Sequence, residues 1–319
     1  MTIGTGLVFE DTDFTGVYNK INGVYGRNDN GYGQVLASNP AANGVAVASA
    51  DWNNLRTYCV NTRIHQAGSS SPTSVSSGTV VQSALVTELD TLADTCTTNR
   101  YSIAAGQFTA DEAKSSATRQ SSVSGTWGVQ SSFNHVLTAT CTVTGADMNS
   151  DGSRRGLRYF FNAGGKMKIT ISLANFTGGV SGKGQKWADL FSGAGTIYMD
   201  YTQTLCTGTG TTSTVGGLDL TLTDQQIFRK DVGSGVYSEN YFLVYARFFD
   251  TNQTGITFTV KCYDMDTGDQ QAGFLPGPAV DEAVDGDLTV AFTQDRPSGS
   301  YVSIATPTYS SVIFSTGLS

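Results

Sequence analysis

Charge is scarce in this chain: Asp, Glu, Lys and Arg make up 14% of its 319 residues, where an average soluble domain carries roughly 25%. The balance that remains is acidic, with a net charge of -8. A nucleic-acid footprint needs Lys and Arg clustered on one face, so this composition argues against nucleic acid as a partner. Histidine is almost missing, with only His65 and His135, which narrows acid–base and metal chemistry. The five cysteines, Cys59, Cys96, Cys141, Cys206 and Cys262, are odd in number, far apart and without a C-x-x-C pair. That pattern fits neither a zinc site nor a disulfide framework, and reads as small buried apolar residues in a reducing compartment. No run approaches the about 18–20 apolar residues that cross a bilayer, so no membrane partner is expected. The start, MTIGTGLVFEDTD, has no basic stretch leading into an apolar one, and synthesis in a cytoplasm is the expectation.

What is abundant is Gly, Ser and Thr around a 39% hydrophobic content. A polar but weakly charged surface is cheap to bury against neighbouring copies, because few ionic heads need desolvation. The length fits two modules, or one large β domain with an extension.

The pattern changes along the chain. Residues 1–124 read as a helical or extended docking segment. Trp52, Leu55, Cys59 and Thr62 recur at helical spacing in ADWNNLRTYCVNTRIHQ, with Ser49 and Asp51 as caps. Leu85, Leu89, Leu92 and Cys96 form a second stripe, with Glu88 and Asp94 off it. The Ser-rich QAGSSSPTSVSSG between them is loop. TADEAKSSATRQ, Thr109 to Gln120, opens on a Thr cap with acidic residues behind it and predicts a third, polar helix. Residues 125–319 read as a β-sandwich or jelly-roll-like body, making the chain mainly β. Its candidate strands are FNHVLTATCTV, LRYFFNA, KMKITISLA, GTIYMDYTQTL, LDLTLT, QIFRKD, YFLVYARFF, GITFTVKCYD and DLTVAFTQD, interrupted by one helix around Trp187 and Leu190 or Phe191. No fixed-period repeat marks a solenoid.

In RYFFNAGG, strand alternation would send Phe160 and Phe161 to opposite faces, with Asn162, Gly164 and Gly165 closing a hairpin. A phosphate cradle would need a helix after the glycines, whereas KMKITIS alternates like a strand. In YFLVYARFF, Phe242, Val244 and Ala246 share one face and Tyr241, Leu243, Tyr245 and Arg247 the other, which predicts a strand buried on both sides, by the core and by another layer or subunit.

The chemistry-bearing clusters read blandly. His65 ends a helix, where the partial negative charge favours a cation, and His135 sits in a β run; packing or capping suits both. No G-x-S-x-G elbow supports a hydrolase. Asp264, Asp266 and Asp269, and Asp281, Glu282 and Asp285, are carboxylate groups of the kind glycosidases use, yet both sit beside glycine and read as solvated turns. Asp147, Asn149, Asp151 and Gly152 open a calcium-loop pattern, but its twelfth position is Arg158 and Arg154 and Arg155 would repel a cation. The expectation is therefore no catalytic residue, no cofactor and no metal.

RYFFNAGGKMKITISLA followed by KWADLFSGAGTIYM resembles a pattern of virion structural proteins in tailed phages of cyanobacteria and marine bacteria, and YNKINGVYGRNDNGYGQ and DWNNLR with a later HQ match in order. The insertion-like DMNSDGSRRG before Arg158 departs from it. The resemblance implies a non-enzymatic component of the virion, assembled in the host cytoplasm, in the tail, neck or fibre region. A head-decoration subunit and a glycan- or receptor-binding module of a fibre are the alternatives. The partners it implies are further copies of the chain and other virion proteins.

Overall fold

The computed structural model describes residues 11–39, 47–76, 81–120, 135–145, 156–176, 182–235, 237–265, 284 and 286–318. These form two compact units, both discontinuous in sequence. One gathers residues up to 110 with 145–165 and 295–306; the other gathers 111–144, 166–294 and 307–319. The boundary expected at residue 124 falls on 121–134, outside the described residues.

The first unit is helical. Helices α1 (Asp11–Tyr25), α2 (Ser49–Ala67) and α3 (Ser83–Thr98) each turn one stripe inward. Phe14, Val17, Ile21 and Val24 line α1, and Trp52, Leu55, Cys59 and Thr62 line α2 as their spacing predicts. On α3 the buried stripe is Val86, Leu89, Ala93 and Cys96, rotated from the expected one, so that Leu85 and Leu92 flank it half-buried. Lys20 of α1 bridges Asp90 at 2.7 Å and Asp94 at 2.8 Å on α3. Helix α2 starts after Ala48, whose N–H donates to the Asp51 carboxylate at 2.9 Å, and ends at Gly68, left-handed at φ 84°.

The RYFFNAGG block is a helix end rather than a hairpin. Helix α4 (Gly156–Asn162) buries Tyr159, Phe160 and Phe161 together. The N–H of Gly164, at φ 85°, then donates to Phe161 O and that of Gly165 to Phe160 O. Glycine at positive φ closes a helix as readily as a hairpin, which is why the local signal misled. Asn162 is fully buried and donates from Nδ2 to Asp29 O and Gly31 O, both at 3.0 Å.

The second unit carries the sheets. Strand β1 (Phe108–Arg119) occupies the stretch expected as a third helix. Its Ala, Glu and Lys favour a helix locally, but it pairs with β10 (Asp287–Pro297) at the edge of a five-stranded sheet ordered β1-β10-β3-β4-β5, where β3 is Lys166–Ala174, β4 Ile197–Met199 and β5 Thr204–Cys206. The seven-stranded sheet is ordered β11-β2-β9-β8-β7-β6, with β12 also on β2. Its strands are β2 (His135–Thr144), β6 (Thr211–Thr212), β7 (Gln225–Asp231), β8 (Tyr241–Phe248), β9 (Gly255–Asp264), β11 (Thr308–Tyr309) and β12 (Ile313–Leu318). LDLTLT, expected as a strand, is turn and coil. The rings of Phe258 (β9) and Phe292 (β10) meet at 5.8 Å between the two sheets, a sandwich-like core in a mainly β chain. Helix α5 (Lys183–Ala194) forms where Trp187, Leu190 and Phe191 predict it, and Phe191 packs on Phe242 of β8 at 5.3 Å. Among the described residues, no helix is long and apolar enough to cross a membrane.

Candidate functional site

The chemistry concentrates where α5 meets the ends of β8 and β9. Lys183, the first residue of α5, is 0% exposed, and its Nζ lies 2.8 Å from Oδ2 of Asp264, itself 3% exposed at the last position of β9. Asn240 is fully buried immediately before β8. The β8–β9 register pairs Tyr241 with Tyr263; one step outward it sets Asn240 opposite Asp264, and directly opposed residues share a face. That face is the inner one, because the pair one step inward from Tyr241 and Tyr263, Phe242 and Cys262, is buried.

Asn240 is held on several sides. Its Oδ1 accepts the Met265 N–H at 2.6 Å, its N–H donates to Tyr237 O at 3.1 Å, and its carbonyl accepts from Val232 N at 3.0 Å. The Tyr237 ring stands 6.0 Å from Lys183 Nζ. A lysine and a carboxylate without bulk water are costly as ions unless paired and hydrogen-bonded, and breaking such a pair leaves one buried charge. Lys183 also sits at the positive end of the α5 dipole, which favours its neutral amine. The arrangement can pass a proton from amine to carboxylate over one hydrogen bond.

Asp264 is thus not the solvated turn residue its sequence context suggests. Asp266, Asp269, Asp281, Glu282 and Asp285 lie outside the described residues, as does the whole Asp147–Gly152 loop with Arg154 and Arg155. Arg158 is in α4, its Nε donating to Asp29 O at 3.2 Å. His135 opens β2. His65 lies in the last turn of α2 but is fully buried, and burial holds it neutral with a pKa lowered to about 4, so desolvation outweighs the cation expected from the helix end. Among the described residues, no three His, Cys, Asp or Glu side chains gather as metal ligands do.

Lys183 and Asn240 escaped the sequence reading. KGQKWADLF shows an amphipathic helix, and nothing in it distinguishes the buried Lys183 from the half-buried Lys186. No family model, curated protein or solved structure matches this chain.

Proposed function

We propose that this chain is a non-enzymatic structural subunit of a tailed-phage virion, in the tail, neck or fibre region, that acts by self-association and docking on the particle. The supporting observation is the outer face of the seven-stranded sheet. Tyr241 stacks on Tyr263 with ring centroids 4.6 Å apart, Arg229 lies 4.2 Å over Tyr241, and Lys261 lies 5.3 Å from the Tyr245 ring. These side chains are half-exposed, with Leu243 buried among them. Tyrosine and arginine over a rigid sheet are the residues that anchor protein interfaces.

The face continues across Thr138, Thr140 and Thr142 of β2 to an edge of unusual character. Natural sheets blunt their edges with shortness, charge or proline. Strand β5 has 3 residues and β6 has 2. Strand β1 is long but carries Asp111, Glu112, Lys114 and Arg119. Strand β12, IFSTGL, has 6 residues, no charge and no proline, and its Ile313 is 67% exposed. Antiparallel pairing of β12 with the same strand of a second copy brings no like charges together, so the occupant best suited to this edge is another copy.

Light scattering on the full chain tests this. We expect an oligomer, reduced to monomer by Tyr245→Glu or Thr316→Lys in folded protein, and gold-labelled antibody against the chain decorating the tail or neck of tailed-phage particles. A folded wild-type monomer at high concentration overturns the self-association, and absence of the chain from particles overturns the virion assignment.

A further inference from the structure

We propose that Lys183 and Asn240 are joined by an intramolecular isopeptide bond, formed by the folded chain itself with Asp264 as the proton-transfer group. The inference is independent of the virion reading and rests on three buried groups that supply the parts of an acyl transfer. The nucleophile is the Lys183 amine, 0% exposed and at the N-terminus of α5, two circumstances that favour the neutral form that can attack. The base is the Asp264 carboxylate, whose Oδ2 is already 2.8 Å from that amine. The electrophile is the Asn240 side-chain amide on the neighbouring strand end. Its Oδ1 accepts the Met265 N–H at 2.6 Å, a backbone donor fixed where negative charge develops on that oxygen during attack.

The step balances without a cofactor. Asp264 takes one proton from the Lys183 ammonium, and the freed amine lone pair forms a bond to Asn240 Cγ. Electrons of the carbonyl move onto Oδ1 against the Met265 N–H. Asp264 passes its proton to the Asn240 Nδ2 and accepts one from the attacking nitrogen. The Cγ–Nδ2 bond breaks, the carbonyl re-forms and ammonia leaves. A secondary amide and a protonated Asp264 remain, so the buried ion pair becomes an uncharged, hydrogen-bonded group. Nothing is oxidised or reduced, and the event occurs once per chain without turnover.

Asp264 is the other acyl group near Lys183, but an amide to it would expel water and would consume the carboxylate that serves as the base. The leaving group therefore distinguishes the two. Fold-imposed proximity is the driving factor in either case, because it replaces an encounter with an intramolecular step.

The test is the intact mass of the full chain, followed by a protease map. The expected result is a mass one ammonia below that of the sequence, with the peptides containing Lys183 and Asn240 recovered as one branched species. Asn240→Ala and Asp264→Asn, each checked for folding by circular dichroism, are expected to show separate peptides and no loss of ammonia from that pair. Wild-type protein with both peptides unlinked overturns the proposal, whatever the variants do. Loss of water with Lys183 joined to Asp264 overturns it too, since Asn240 would then not be the acceptor. A branched peptide that persists in folded Asp264→Asn overturns the role given to Asp264.

Discussion

The Nε2 of His65 stands 2.9 Å from the carbonyl oxygen of Ala163, a bond that fixes the neutral tautomer with its proton on Nε2. Nδ1 is buried with no hydrogen-bond partner among the described residues, so adding the second proton would place a charge where nothing answers it. Desolvation accordingly lowers the pKa to about 4, with the Ala163 contact opposing. The unfolded chain takes up that proton near its ordinary value of about 6.5. Between those two values the unfolded state holds more protons, so stability is full above pH 6.5 and declines as pH falls toward 4, by about 3 kcal/mol in all. Urea melts across this range are expected to show the decline. His65→Gln, which keeps a donor without titrating, is expected to flatten it by that amount.

A fragment of residues 125–319 is expected not to fold as a whole. The first unit's later segments make contacts with its N-terminal part: Asn162 with Asp29 and Gly31, Ala163 with His65, and Tyr301 O with the Tyr25 hydroxyl at 2.9 Å. Without the helices, Tyr159, Phe160 and Phe161 lose their cover, and about 1.5–3 kcal/mol of burial goes with each large side chain. Circular dichroism and dye binding on the fragment against the full chain measure this; a cooperative melt equal to that of the full chain is the contrary result.

Two glycines at positive φ separate strain from crowding. A methyl at Gly106, φ 82°, meets nothing within 4 Å, whereas at Gly33, φ 73°, it would come 2.5 Å from the Tyr159 ring. Gly106→Ala is expected to cost about 1–2 kcal/mol, the backbone penalty alone. Gly33→Ala adds a displaced buried tyrosine and is expected to cost at least twice that. Chemical denaturation of the pair decides it.

Thiol labelling of the native chain is expected to modify Cys206 ahead of the other four. Cys206 is half-exposed, while Cys59, Cys96, Cys141 and Cys262 are buried. Burial raises the Cys59, Cys141 and Cys262 thiols and pushes Cys96 up to about 12, leaving little thiolate to react. Mass-resolved alkylation before and after denaturant reads the difference.

Where the sequence spoke clearly, one period dominated a long segment. The α2 stripe and the alternation in β8, where Phe242, Val244 and Ala246 face inward, are visible because packing on one side repeats over several turns or residues. The outer row of β8, expected to be covered by another layer or subunit, is half-exposed in the single chain except at Leu243. Strand β1 was hidden because pairing with β10, residues far along the chain, overrides its helical propensity. Helix α4 was hidden because a short, wholly buried helix shows no polar face, and its apolar run matches a buried strand. The Lys183–Asp264–Asn240 cluster was illegible for a further reason. Its members are the first residue of α5, the last of β9 and the residue before β8, and tertiary packing, not sequence spacing, sets them together.

The discontinuity of the first unit has a consequence for how the chain is made. Helices α1 to α3 emerge early from the ribosome, yet the segments that complete their unit, 145–165 and 295–306, emerge much later. The hydroxyl of Tyr25 must wait for Tyr301, a separation of 276 residues, nearly the whole chain. Synthesis runs at about 5–20 residues per second, so the helical faces of the first unit stay incompletely covered for tens of seconds in each round of translation. Through that interval the apolar stripes of the early helices are expected to be exposed to holding chaperones.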